Sequence, residues 1–294
     1  MTTPPTNTTE DPRIRAYRSG ARLTGARMSR EAPADAAALD AVEASDIVVV
    51  PGQYDHVEAV LEALALPHTR VAPAELPRVR LRPEQLLVVN CPGNVAPESI
   101  GQIERFVHDG GSLFSTDWAL ANLLERAFPG VLAYNRIPTA DAVVRVELVD
   151  RNNPFLQGVM DGSDTPVWWL EGSSYPTRIL DPERVRVLIR SRELEAKWGE
   201  SAVAVVFPHG RGEVFHMVSH YYLQRTETRG ARHAGPAASY WREKGVAPSA
   251  DEGMEMADLS LSDVESAATS SRLFANVVAD KKRRGAAPRE ESRR

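Results

Sequence analysis

Apolar and polar positions fall into blocks along the middle of the chain. Leu86-Leu87-Val88-Val89 is a continuous apolar run of strand length, the pattern of a strand buried on both faces of a parallel sheet. Ile100, Ile103, Phe106 and Val107 then recur at helical spacing, and Gly110-Gly111 supplies a left-handed stop. A second apolar strand, a polar turn and another helix follow, so 86–129 reads as a βαβα unit. Upstream, 47–50 is a four-residue apolar strand closing on Pro51-Gly52, and Val57, Val60, Leu61 and Leu64 mark the next helix. Val71 opens a short second strand.

Downstream the spacing shortens. Residues 143–149 form a strand of partial alternation that ends at the Asn152-Asn153-Pro154 turn signal. Further strands are predicted over 185–189, 203–207 and 213–218, with 208–212 a hairpin-like turn between the last two. A terminal helix over 261–282 carries Val264, Leu273, Phe274, Val277 and Val278 on its apolar side. Three segments lack such patterning. Residues 1–33 are predicted to be a disordered tail, made locally basic by Arg13, Arg15, Arg18, Arg22, Arg27 and Arg30, which leaves open a docking or targeting arm. Residues 225–258 are predicted to be a mobile insertion, and 283–294 a charged disordered tail. The expectation is one α/β domain over 34–282: a mostly parallel sheet flanked by helices, with extra β-strands and a terminal helix.

Composition narrows the class. With 294 residues, 43% hydrophobic and 26% charged, the chain has the make-up of an ordinary soluble domain. A net charge of −5 argues against a nucleic-acid-coating surface. One cysteine excludes an internal disulfide framework. No apolar run approaches the roughly 20 residues that span a bilayer, and the N-terminal residues lack a hydrophobic signal core. The chain is therefore expected to be cytoplasmic, without membrane or nucleic-acid partners.

Four segments resemble the class I glutamine amidotransferase-like fold, a flavodoxin-like arrangement, and within it the ThuA-like proteins that are not amidotransferases. They are VVVPGQYDHVEAVLEAL from residue 48, LLVVNCPG from 86, FVHDGGSLF from 106 and GRGEVFHMVSHYY from 210. The resemblance covers about 46–280. It implies a ligand site beyond the carboxyl ends of the strands, but not glutamine hydrolysis. Amidotransferases carry a nucleophilic Cys in a Gly-x-Cys-x-Gly turn, where this chain has Ser115-Thr116-Asp117-Trp118. The family histidine corresponds to His220, and the acidic residue two places later is Tyr222 here.

Candidate catalytic residues are Cys91, Asp117 and His220. Cys91 precedes Pro92-Gly93, where a helix N-terminus would favour its thiolate and His216 or His220 would be the base; the alternative is a small residue closing the strand. Asp117 could bind a cation, a hydroxyl or an amine, or could cap the following helix, as could Thr116. Asn90 and Trp118 lie at the same strand ends. Trp168 and Trp169 face opposite ways in a strand, so one can fill core while the other, with Glu171 nearby, forms a pocket wall. His216 and His220 share one side if their strand persists, but no HExxH or similar spacing accompanies them, and neither a metal nor a cofactor is expected. The leading expectation is a non-catalytic binding, scaffold or regulatory protein, acting on an unknown protein partner or small-molecule ligand. The alternative is a hydrolase or carbohydrate-processing enzyme, and it requires Asp117, Glu171 and His220 to converge within a few ångström.

Overall fold

The computed structural model describes residues 10–221 and 225–286. In chain order it contains α1 (Pro12–Glu31), α2 (Pro33–Asp40), β1 (Ile47–Val50), α3 (Val57–Ala63), β2 (Thr69–Arg70), β3 (Leu86–Val89), α4 (Pro97–His108) and β4 (Ser112–Thr116). A π-helical turn, Leu120–Leu124, leads into α5 (Glu125–Ala127), then β5 (Leu132–Tyr134), β6 (Ala142–Arg145), β7 (Glu147–Leu148), β8 (Val167–Leu170) and β9 (Thr177–Ile179). The chain continues through β10 (Arg186–Arg190), α6 (Arg192–Trp198), β11 (Ala202–His209), β12 (Gly212–Met217), α7 (Ala237–Glu243), α8 (Ala250–Glu255) and α9 (Leu261–Ala286).

Eight strands form one sheet in the order β2-β1-β3-β4-β12-β11-β10-β7. The β2-β1-β3-β4-β12 part is parallel and the β12-β11-β10-β7 part antiparallel, giving the mostly parallel α/β sheet expected. Small sheets β5-β9 and β6-β8 lie beside it. The IVVV and LLVV runs of β1 and β3 are buried throughout, because helices cover both faces. On one face Tyr17, Leu23, Val60, Leu61, Phe274 and Val278 from α1, α3 and α9 pack on Val49, Val88 and Phe114. On the other, Ile103, Phe106, Leu120 and Leu123 pack on Val48, Leu87 and Val89. The strand expected over 143–149 is two: β6 pairs with β8, and β7 joins the edge of the main sheet. No helix among the described residues is long and apolar enough to cross a membrane.

Two expectations of disorder are corrected, and for one reason. Residues 12–31 are not a loose arm but a helix whose Ala16, Tyr17, Leu23 and Met28 are buried, mostly against α9. Its arginines meet the segment read as a mobile insertion: Arg15 pairs with Asp258 at 2.6 Å, Arg22 with Glu255 at 2.7 Å, and Arg30 donates to the Gly245 and Lys244 carbonyls. That segment is in turn pinned from below. Lys244 is fully buried between Asp161 (2.6 Å) and Asp164 (2.5 Å), and Arg232 holds Glu265 and Glu243, each at 2.7 Å. The two segments look solvated because the contacts between them join residues more than 200 positions apart in the chain. The α9 helix also runs on to Ala286, past the predicted end at 282. The parts of the two tail expectations covering 1–9 and 287–294 lie outside the described residues.

Candidate active site

Four loops meet at the carboxyl edge of the parallel strands, where open α/β sheets hold their ligands. Tyr54 and Gln53 donate their amides to the Cys91 carbonyl, tying the loop after β1 to the loop after β3. Gly52 permits this approach, because a Cβ there would lie 1.9 Å from that carbonyl oxygen. Thr116 Oγ1 accepts the Cys91 amide at 3.0 Å, and the Asp117 amide donates to Met217 at the end of β12. Gly93, at φ +75°, lies so close to Ala119 that no side chain fits between them. Short strands with interlocked ends thus place Cys91, Asp117 and His220 together.

Asp117 has φ +44°, a left-handed conformation that costs a non-glycine residue of order 1–3 kcal/mol. Its side chain does not cap the following helix. Oδ1 accepts the Tyr175 amide at 2.7 Å and Oδ2 accepts the Ser174 hydroxyl at 3.0 Å. His220 Nε2 lies 3.1 Å from the same Oδ2, while His220 Nδ1 lies 2.7 Å from Glu171 Oε2. Cys91 Sγ lies 4.0 Å from Asp117 Oδ2, and the donor atoms of Cys91, Asp117 and His220 fall within 4.8 Å of one another. Asp117 and His220 are each 2% exposed, whereas the Glu171 side chain is 39% exposed and forms the solvent side of the cluster. Asp55, also buried, accepts the Tyr221 amide at 3.0 Å and so anchors the residue after His220.

The electrostatics follow from this crowding. Burial alone would lower the His220 imidazole, but its contacts with Asp117, Cys91 and Glu171, together with the nearby Asp55 charge, outweigh burial and hold the ring well above its ordinary value. Burial pushes the Asp117 carboxyl up, with His220 pulling the other way. Burial likewise raises the Cys91 thiol, and the neighbouring Asp117 charge adds to the rise. Burial thus works against the activated thiolate expected there, and the helix that follows, α4, starts at Pro97 rather than on Cys91.

The other predicted residues divide. Asn90 is buried but turned toward α3, donating to Glu58 at 2.7 Å and accepting the Val57 amide. Trp168 is wholly buried and donates to Thr269 on α9, so its place is core. Trp169, on the opposite face, sets its edge toward His220 with ring centroids 6.3 Å apart. His216 does not share a side with His220, because β12 ends at Met217. It is fully buried beside Ser115 Oγ at 3.1 Å, and burial lowers its pKa to about 3, so it stays neutral. Tyr222 lies outside the described residues. The carboxylate on the far side of the His220 ring belongs to Glu171, just past β8.

Sequence reasoning missed the loop that carries Glu171. A row of rings holds it: Tyr54 packs edge-on to Trp118 at 5.2 Å, Trp118 stacks on Tyr175 at 5.4 Å, and Tyr175 stacks on Tyr134 at 3.9 Å. Trp118 Nε1 also donates to the Ser173 carbonyl at 2.7 Å. Ser174 and the Tyr175 amide are thereby fixed over Asp117. These tyrosines are scattered along the chain, and nothing in their spacing announces the stack.

No family model matches this chain, and no curated protein does. Solved structures match part of it. A β-galactosidase from Rahnella sp. R3 shares 12% identity over 61% of this chain, with a TM-score of 0.42. A GMP synthase-like protein from Thermoplasma acidophilum shares 14% identity over 59% of this chain and 82% of its own length, with a TM-score of 0.42. A ThuA-like protein from Bacteroides uniformis shares 11% over 60% of this chain and 83% of its own, at a TM-score of 0.41. The chain spans less than a third of the β-galactosidases it matches, 29% of the Rahnella enzyme. At these identities and scores the likenesses carry no activity to this chain.

Proposed function

We propose that the strand-end cluster is a hydrolytic centre in which Asp117 and His220 are the working pair and Glu171 orients the histidine. The observation that carries this reading is the chain of contacts Glu171–His220–Asp117, at 2.7 and 3.1 Å, on a left-handed strand-to-helix turn. It supplies the convergence that the enzymatic alternative required. Burying a carboxylate, an imidazole and a thiol together is a poor route to stability, since apolar packing of the same volume does as well or better. Strain and ionisable groups gathered at one sheet edge are features of working sites. The resemblance places Ser115-Thr116-Asp117-Trp118 where amidotransferases carry their cysteine, and a histidine and a carboxylate meet at that turn.

In this reading Glu171 fixes the imidazole through Nδ1, so that Nε2 is presented to Asp117 and to whatever enters beside them. Half-exposed Trp118 and Trp169, with exposed Tyr54, rim the cluster and favour a small polar substrate with an apolar face, such as a sugar derivative. The test is turnover of a panel of p-nitrophenyl esters and glycosides by the purified chain. His220→Gln is expected to lower any turnover by about 10²–10⁴-fold. A wild-type chain inert across the panel, or a His220→Gln variant of equal rate, would return the protein to the binding or scaffold reading.

A further inference from the structure

Among the described residues, Cys91, Asp117 and His220 form the one group of three metal-capable side chains whose donor atoms lie within 4.8 Å of one another. Its composition is particular: a thiol, a carboxylate and an imidazole, all three buried. A cysteine kept for packing sits among apolar neighbours. Cys91 Sγ instead lies against Asp117 and His220, with the Trp118 amide also directed at it. Three carboxylates (Asp55, Asp117 and Glu171) also act on this one imidazole.

We propose that this cluster is a binding site for a single zinc-class divalent cation, ligated by Cys91 Sγ, Asp117 Oδ2 and His220 Nε2, with Glu171 holding His220 from behind. The inference deepens the hydrolytic reading and rests on its choice of working site. Mixed sulfur, nitrogen and oxygen donors suit zinc rather than magnesium or calcium, which take oxygen alone. Three protein ligands are also the number found in catalytic zinc sites, where the fourth position is left to water or substrate.

The spacing fits. Tetrahedral zinc with metal–sulfur and metal–nitrogen or –oxygen bonds of about 2.3 and 2.0 Å needs donors roughly 3.3–3.6 Å apart. The Asp117–His220 separation is 3.1 Å, the Cys91–Asp117 separation is 4.0 Å, and all three donors lie within 4.8 Å of one another, so the thiol has to move toward the other two to close the site. The Glu171 contact on the far nitrogen of His220 is the arrangement that fixes the tautomer and direction of a metal-binding imidazole. Neither His216, buried inside β12, nor Trp168 takes part.

The test uses the full chain, stripped by chelator and titrated with Zn²⁺ by calorimetry and with Co²⁺ by absorbance. The expected result is one equivalent bound, with a thiolate-to-cobalt charge-transfer band. His220→Gln is expected to weaken binding at least about 100-fold, and Glu171→Gln about 10-fold or more. Cys91→Ser, which keeps the size and an oxygen donor, is expected to abolish the charge-transfer band. Should His220→Gln fail to fold, the Cys91→Ser band and the half-exposed Glu171→Gln variant decide the matter. Absence of saturable one-equivalent binding, or binding unchanged in Cys91→Ser and Glu171→Gln, overturns the site. Chelated protein that binds no zinc on titration but still hydrolyses the panel would retain the hydrolytic reading and remove the metal; protein that binds zinc but hydrolyses nothing would do the reverse.

Discussion

Replacing Trp118 by alanine should loosen the Glu171 loop without unfolding the sheet. Trp118 contributes three things to that loop: its stack on Tyr175, its edge contact with Tyr54, and the 2.7 Å hydrogen bond from Nε1 to the Ser173 carbonyl. An aromatic pair is worth about 0.5–1.5 kcal/mol beyond its burial. A hydrogen bond of this kind adds about 1 kcal/mol. Trp118 is also partly buried, so lost packing adds to these terms and about 2 kcal/mol is the least local stability lost. Hydrogen exchange reads this directly, because the Tyr175 amide exchanges only when it leaves Asp117. A fall of about 2 kcal/mol speeds its exchange roughly 30-fold, while amides of β3 and β4 keep wild-type protection. Trp118→Phe, which keeps the stack and loses the hydrogen bond, should show a smaller increase. Unchanged exchange at Tyr175 in Trp118→Ala would mean that the ring stack does not hold the loop, and the account of how Glu171 is positioned would fail.

Other consequences are equally direct. Lys244→Met leaves the fully buried Asp164 without its closest cation, which should cost about 3–5 kcal/mol and lower the melting temperature by about 10 °C. Adding Asp164→Leu should recover much of that, and a shift under about 2 °C would restore the picture of 225–258 as a loose insertion. Neutral, buried His216 has a pKa lowered to about 3 from the ordinary 6.5, so the unfolded chain binds the extra proton between these values and stability is lost as pH falls. At pH 5 the difference is about 2 kcal/mol, and His216→Gln should flatten the pH 5–7 dependence of the unfolding free energy by that amount. An equally steep slope in the variant would show that His216 takes up its proton freely. Gly52→Ala should displace the Cys91 loop, because the added Cβ has no room against the Cys91 carbonyl. A variant with wild-type stability and an unshifted Tyr54 would contradict that packing.

Much of the parallel half of the fold was legible in the sequence. IVVV and LLVV are apolar because both their faces are covered, and the helical spacing of Ile103, Phe106 and Val107 reports the face of α4 that meets the sheet. The strand-end placement of Asp117 and His220 could be read for the same reason: in parallel strands the register follows from where each apolar run stops. What could not be read depends on contacts distant in the chain. The α1 arginines look like a solvated run until Asp258 and Glu255 come opposite them. His216 and His220 look like one pair until β12 ends between them. Glu171 entered the sequence reading as a neighbour of two tryptophans and as a required partner of Asp117 and His220 in the enzymatic alternative, but its approach to His220 depends on rings at 54, 118, 134 and 175 that no periodicity links.

The most direct test of the hydrolytic centre compares Asp117→Asn with the wild-type chain, measuring turnover on a substrate from the chromogenic panel and thermal unfolding side by side. The substitution keeps the shape of the side chain and the oxygen that accepts the Tyr175 amide, replaces the oxygen facing Ser174 and His220 by an amide nitrogen, and removes the charge that faces His220 and Cys91. Turnover reduced by about 10²–10⁴-fold in a protein that still unfolds cooperatively is the predicted result. Wild-type turnover in that folded variant would contradict the assignment of the cluster as the working site.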